Sequence, residues 1–392
     1  MKSSFLVPFL TLALSCSVAR AQQTGVAIGT TPGSAVRNFP KAVAVSIPKA
    51  SCNYPINSPS DPNTSPALPD MLFTRESLVC VRYSDGRSEG FSNESELGVT
   101  SADHAYVAVW HPEAHELHIL SPADDRDIVA DTLPGAKLRE MVWSLKGHTL
   151  AYYAANASPL GVRVIDLDSG QRNIFPGNFD SLIASPDPEY AVMVGPGAIE
   201  RLHVTDGRRQ VILPAKFSYR GEYSPKASFL GILAYTESKY LNTTPQLAAS
   251  SADSDDDGPD CTGASFFLIL QSAATKQLVD IPFPEKFNSV LDFEFSPDES
   301  AIAVTFGVTG CDYPGEAARI YKVSLPSLQM TPISPADGLG VQAHWSPDGK
   351  FIIYSDYTGS DSPLVAADAR TGKLTRLTNP GPHGPDTWQG WR

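Results

Sequence analysis

Short apolar runs, each bounded by Ser, Pro, Asp or Gly, recur from about residue 70 to the end of the chain. Ala301-Ile302-Ala303-Val304-Thr305-Phe306 and Phe351-Ile352-Ile353-Tyr354 are nearly continuous apolar stretches. Runs of that length suit strands buried on both faces. Each is preceded by a shorter β-rich piece, such as Leu291-Asp292-Phe293-Glu294-Phe295 or Val341-Gln342-Ala343-His344-Trp345. The link between the two reads Ser-Pro-Asp or Ser-Pro-Asp-Gly. That order suits a type I turn, with Ser first, Pro fixing φ at the second position and Gly fourth. A loop follows, then a third strand such as Val162 to Leu167, then a tight turn (Asp168-Ser169-Gly170) into a fourth. The pattern predicts a four-stranded antiparallel unit.

The unit repeats. Versions of the turn stand at Ser101-Ala102-Asp103, Ser144-Leu145-Lys146-Gly147, Ser185-Pro186-Asp187, Ser224-Pro225-Lys226, Ser296-Pro297-Asp298 and Ser346-Pro347-Asp348-Gly349. Their serines are 43, 41, 39, 72 and 50 residues apart. A period near forty in β-rich sequence marks the blade of a β-propeller, and six turns in nearly fixed register favour it over an ordinary β-sandwich, where Ser-Pro-Asp also recurs. The second hairpin turn recurs seven times, at Ser84-Asp85-Gly86, Ala123-Asp124-Asp125, Asp168-Ser169-Gly170, Asp206-Gly207, Ala273-Ala274-Thr275, Pro326-Ser327 and Thr371-Gly372. The first unit lacks its inner strand, and the chain ends in an orphan strand-like piece, Asp386-Thr387-Trp388-Gln389-Gly390-Trp391. The expected fold is therefore all-β: a closed propeller of about seven four-stranded blades. The C-terminal strand should complete the blade begun at Met71-Leu72-Phe73-Thr74, which removes exposed sheet edges. Six blades is the alternative, if the poorly patterned fifth repeat has another role.

Phe295-Ser296-Pro297-Asp298, Trp345-Ser346-Pro347-Asp348-Gly349-Lys350-Phe351-Ile352-Ile353-Tyr354 and the stretch Asp368 to Thr378 resemble the WD40-like (PD40) repeat of TolB-like propellers. The resemblance covers roughly Pro69 to Arg392, strongest in the last two repeats. It implies a fold and no catalytic residues, because the family motif is structural. TolB also carries an N-terminal α/β domain, for which the Pro-rich residues 22–69 are too few.

Composition adds a compartment. Lys2, an apolar run from Phe5 to Leu14, and Ala19-Arg20-Ala21 before Gln22 form a signal peptide, too short to span a bilayer. The expected organisation is signal 1–21, extension 22–69 and propeller 70–392, located in the periplasm or secreted. Cys16 offers the rival reading of a lipoprotein, although Ala13-Leu14-Ser15 before it is a poor lipobox. A net charge of −13 without Lys/Arg clusters argues against nucleic acid. No later stretch is apolar enough for a membrane helix, and a monomer is expected.

The spacing of 72 residues places a long insertion, about Tyr240 to Gly263, between strands two and three of the fifth repeat. The sixth repeat has a shorter one, Gly307 to Ala317. In an up-and-down blade both leave the end opposite the Ser-Pro-Asp turns, and one-sided insertions usually mark a binding face. Signal removal leaves Cys52, Cys80, Cys261 and Cys311, an even count that suggests two disulfides with three connectivities. Cys261 with Cys311 and Cys52 with Cys80 is the simplest pairing. The insertion also carries Asp253, Asp255 and Asp257 before Gly258, the first half of a calcium loop. The Glu expected at the twelfth position is Ala264 here, so Ca²⁺ would need Asp260 from another direction, and a solvated acidic loop is the simpler reading.

No G-x-S-x-G elbow, P-loop, Rossmann fingerprint or H-E-x-x-H stands in the chain. His104, His111, His115 and His118 cluster in sequence, but Pro112 forbids a helix there and a hairpin would split them. A polar outer strand explains them better than a metal site. Glu140, Asp292, Glu294 and His344 sit on inner strands, where solvation of the channel is their expected role. Asn63, Asn93, Asn156 and Asn242 are glycosylation sequons that matter only in a eukaryotic pathway, and the repeat looks bacterial. The expected function is a non-catalytic module that binds a protein, peptide or glycan through its long-loop face. The alternative is a hydrolase, lactonase or lyase at the channel mouth, with Ca²⁺ as a candidate cofactor.

Overall fold

The computed structural model describes residues 68, 71–75, 78–82, 88–92, 98–103, 105–121, 126–214, 218–240, 265–284, 287–308, 317–359, 362–378 and 386–391. The expectations for the signal segment, for Cys16, Cys52, Cys261 and Cys311, and for Asp253, Asp255, Asp257 and Asp260 fall outside these residues. Cys80 lies on a strand, opposite Phe73 in the pairing register.

Among the described residues every regular element is a β-strand except the single 3-10 turn Ser238–Tyr240. The strands form seven four-stranded antiparallel sheets. Six are simple meanders, each entered by a first strand: Gly98–Thr100, Lys137–Trp143, Ser181–Ile183, Ser218–Tyr223, Ser289–Phe295 and Gly340–Trp345. We number these sheets blades two to seven. Blade one combines both ends of the chain. Asp386–Trp391 lies beside Met71–Arg75 with Trp388 opposite Phe73, and Leu78–Arg82 and Ser88–Ser92 follow outward. The C-terminal strand thus takes the place of the inner strand that the first repeat lacks.

No blade can hide its apolar faces alone, and the core is accordingly divided among the contacts between blades. Val99, Trp110 and Leu117 of blade two pack on Trp143 and Tyr152 of blade three. Blade three meets blade four through Val162, Val164, Met193 and Leu202, and blade four meets blade five through Val192, Val194, Leu230 and Ile232. Leu268 and Leu270 face Phe293 and Phe306 across blades five and six. Ile320 and Ala303 face Trp345 and Tyr354 across six and seven, and Ile353, Leu364 and Ala366 of blade seven cover Met71 and Phe73 of blade one. The run Ala301–Gly307 is buried at every position, as its unbroken apolar character requires.

The recurrent turn has a defined job. The Ser296 hydroxyl donates to Asp298 at 2.7 Å and accepts the Ala301 amide at 3.0 Å. Asp298 in turn accepts the Ser300 amide at 3.0 Å. Ser346, Asp348 and Phe351 repeat this, as do Ser101, Asp103 and Tyr106. The side chains satisfy amides that the turn leaves unpaired at the mouth of a strand pair. The fourth turn position adopts a left-handed backbone, with φ of 67° at Gly147 and 69° at Gly349. Blades five and six place Ala227 and Glu299 there, at 60° and 64°. These serines are structural.

Candidate functional site

The first strands carry polar side chains in two tiers, counted back from the turn serine. Four positions before it stand Glu140, Ser181, Arg220, Asp292 and Gln342 in blades three to seven. Two positions before it stand Glu222, Glu294 and His344 in blades five to seven, with Val142 and Ile183 in blades three and four. A strand sends alternate residues to the same face, so each tier shares a face with its counterparts on neighbouring blades.

The tiers are knitted across blades. Arg220 reaches from blade five to Asp292 of blade six, Nη1 to Oδ1, at 3.2 Å, and lies 3.8 Å from Glu222 on its own strand. Glu294 of blade six meets His344 Nδ1 of blade seven at 2.5 Å, and its backbone carbonyl accepts the Trp345 indole N–H at 3.1 Å. Glu140 of blade three accepts the Ser181 hydroxyl at 3.2 Å and the Leu182 amide at 2.5 Å, both from blade four. Desolvation pushes the Glu140 carboxyl up to about 7, against the opposing pull of the Leu182 amide, the Ser181 hydroxyl and the Arg220 charge. Asp292, Glu294 and Glu140 are therefore engaged across blade boundaries. Solvation alone, their expected role, does not describe them.

Backbone irregularity falls at the same level. Register shifts interrupt the first strands between Leu138 and Glu140, Ser218 and Arg220, Val290 and Asp292, and Val341 and His344. Bulges re-aim side chains and gather next to functional sites. Gln342, inside the last of these, holds φ at 60°, a conformation a side chain of this kind rarely takes.

The loop-bearing end has a firm base. In blade five the second and third strands end at Ala234 and resume at Phe267. At this junction the Tyr235 and Phe266 rings lie 4.6 Å apart, and Tyr235 stays 45% exposed. Phe267 packs on Phe283 at 5.0 Å, and Asp280 accepts both the amide and the hydroxyl of Ser238. The Phe266 amide and carbonyl bond to blade six, through the Ser289 hydroxyl and the Val290 amide. In blade six the Val308 amide meets the Ala317 carbonyl at 3.2 Å, closing the base of the second insertion.

The histidine expectation resolves as a hairpin. Val107–His111 and Glu116–Ser121 pair through a turn that holds His115 at φ 54°, its ring on the Ala136 carbonyl. His111 and His118 stack edge to face at 4.6 Å. His118 is held by Asp127 at 2.8 Å and Glu116 at 3.2 Å, and His104 lies outside the described residues. Among the described residues no group of three or more His, Cys, Asp or Glu side chains could hold a metal. Arg220 was overlooked in the sequence. Its signal is the alternation Arg220-x-Glu222, Asp292-x-Glu294 and Gln342-x-His344 before three successive serines.

No family model matches the chain. Among curated proteins it is similar to the Tol-Pal system protein TolB of Francisella tularensis, 46% identical over 35 residues, which is 9% of this chain and 8% of that protein. Among solved structures it is similar to the dihydro-heme d1 dehydrogenase NirN in complex with DHE, with a TM-score of 0.51 and 13% identity over 81% of this chain and 65% of that one. TolB from Acinetobacter baumannii aligns with a TM-score of 0.42 and 14% identity, over 73% of this chain and 66% of that one. The chain thus spans under a tenth of the curated relative and just under two thirds of each solved chain. What is shared at these identities is the β-propeller fold. No described helix is long and apolar enough to cross a membrane.

Proposed function

We propose that this β-propeller is an exported, non-catalytic module that binds a protein, peptide or glycan on the end where the connections after Ala234 and Val308 leave adjacent blades. The observation that carries this reading is the anchored base beneath them: the exposed Tyr235 against Phe266, and Ser238 on Asp280, beside the Val308–Ala317 bond of the next blade. Aromatic side chains at the rim of a rigid scaffold supply contact area at low entropic cost. In this reading the signal is cleaved after Ala21, Cys261 pairs with Cys311 and Cys52 with Cys80, and any Ca²⁺ bound by Asp253, Asp255, Asp257 and Asp260 orders the insertion. The test compares the intact protein with a variant in which residues 241–264 become a short Gly/Ser linker, on peptide and glycan arrays and against envelope proteins. A ligand held by the intact form and lost by the trimmed form supports the assignment. Equal capture by both, with the fold intact, removes the loop end from consideration.

A second reading follows from Glu140. A carboxyl titrating near neutrality is placed to exchange a proton at working pH. In this reading the channel mouth carries a hydrolase, lactonase or lyase site. Turnover of lactone or oligosaccharide substrates that disappears in Glu140→Gln, but survives the loop replacement, selects it.

A further inference from the structure

At the opposite end of the propeller, His148 stands between two blades with a carboxylate on each nitrogen. Its Nε2 lies 2.9 Å from Asp103 Oδ2, in the serine turn of blade two. Its Nδ1 lies 2.7 Å from Asp168 Oδ1, in the second hairpin turn of blade three. His148 itself closes the blade-three turn that begins at Ser144, a turn with Lys146 where blades two, four, six and seven have Asp. We propose that the His148 imidazolium is a pH-sensitive latch that ties the turn of blade two to both turns of blade three and lets go as the pH rises.

The chemistry follows from counting protons. An imidazolium donates from both nitrogens, whereas a neutral ring donates from one and presents a lone pair at the other. Only the charged form can serve Asp103 and Asp168 together. Neutral His148 faces one carboxylate with a lone pair, so one of the two contacts must open. Partial burial works against the charge, but the hydrogen bonds to Asp168 and Asp103 outweigh it and hold His148 above its ordinary value. The hydrogen bond to His148 likewise keeps Asp103 well below the usual carboxylate range. The facing groups are thus Asp103 from blade two and Asp168 from blade three. Lys146 shares the His148 turn, and Asp187 and Glu189 lie on the blade-four turn that packs on Gly147 through Pro188.

The latch connects to the core. The Tyr106 ring meets His148 edge-on at 4.8 Å and stacks on Trp143 at 6.3 Å, and the Trp143 indole N–H donates to the Val99 carbonyl. Asp103 also accepts the Ala105 amide, and the Ser101 hydroxyl accepts that of Tyr106. The longer of the two contacts, to Asp103, is the one that opens, and it loosens the turn whose Ala105 and Tyr106 amides Asp103 and Ser101 cap. The sign is set by the raised folded value. The stabilisation is full below the unfolded value near 6.5 and disappears as pH rises through the folded one.

The decisive measurement is the titration of the His148 ring by NMR in the full chain, with hydrogen exchange at the Ala105 and Tyr106 amides from pH 5.5 to 9. His148 should titrate above 6.5, and Asp103→Asn and Asp168→Asn should each bring it down. Protection of the two amides, corrected for intrinsic exchange, should fall several-fold across the titration in the wild type and stay level in His148→Gln. A His148 titration at or below the ordinary value overturns the latch. So does a titration indifferent to both Asn variants, or amide protection that ignores the His148 charge.

Discussion

Glu140 shows how much of this protein is decided one side chain at a time. It remains partly exposed, yet its carboxylate accepts the Ser181 hydroxyl and the Leu182 amide of blade four, and desolvation raises its value to about 7 from an ordinary 4.5. The folded chain therefore holds a proton that the unfolded chain releases. Glu140 supports folding below about pH 4.5, and this support is lost as pH climbs through 7. Glu140→Gln keeps the size and an acceptor for the Leu182 amide but cannot ionise. Its thermal unfolding should thus lack the wild-type decline between those pH values. By pH 8 the variant should melt about 2–4 °C above the wild type. Equal slopes for the two proteins would place the carboxylate in water. The residue type was visible in the sequence, and so was its place on an inner strand. Its partners were not, because Ser181 and Leu182 come from the next repeat and only packing brings them within reach.

At the level of the strand, close approach between blades sets which residues are tolerated. Gly231, in the second strand of blade five, faces the Phe293 and Phe295 rings of blade six, and a Cβ there would run into Phe293. Gly231→Val should cost about 1–3 kcal/mol by forcing those rings from their positions. Urea unfolding would measure it, and a neutral result would mean the blades separate easily. The strands themselves were legible from the primary structure, because unbroken apolar runs, turn serines and Gly or Asp hairpins all agree. The Ser-Pro-Asp reading as a turn was right in position but incomplete in cause. The serine hydroxyl and the aspartate act as a capping pair. The histidine segment was read correctly as a hairpin but not as a polar outer strand, because Glu116–Ser121 is the third strand of its sheet and His118 is buried there against Asp127 and Glu116. The latch at His148 had no local sign, since Asp103 and Asp168 lie 45 and 20 residues away.

For the molecule as a whole, the pairing of Asp386–Trp391 with Met71–Arg75 matters most. Without it the strand that begins blade one has a bare edge, the kind of surface on which chains associate. A chain ending at residue 385 should lose roughly 5 °C or more in melting temperature. It should also elute as concentration-dependent oligomers in size-exclusion chromatography. A truncated chain that stays monomeric and melts with the full one would mean the last strand carries little. The repeat count anticipated this pairing, since one inner strand was missing at the start and one strand was left over at the end.

The same arrangement sets an order of assembly. Whatever leaves the ribosome or crosses a membrane first includes the three outer strands of blade one, and these wait for the last residues before their sheet is complete. Blades two to seven can each form from contiguous sequence as it emerges. A circularly permuted chain that begins near Gly98 and joins Arg392 to Pro69 through a linker would make blade one contiguous as well. Its folding should then no longer depend on Asp386–Trp391 arriving after the other three strands of blade one.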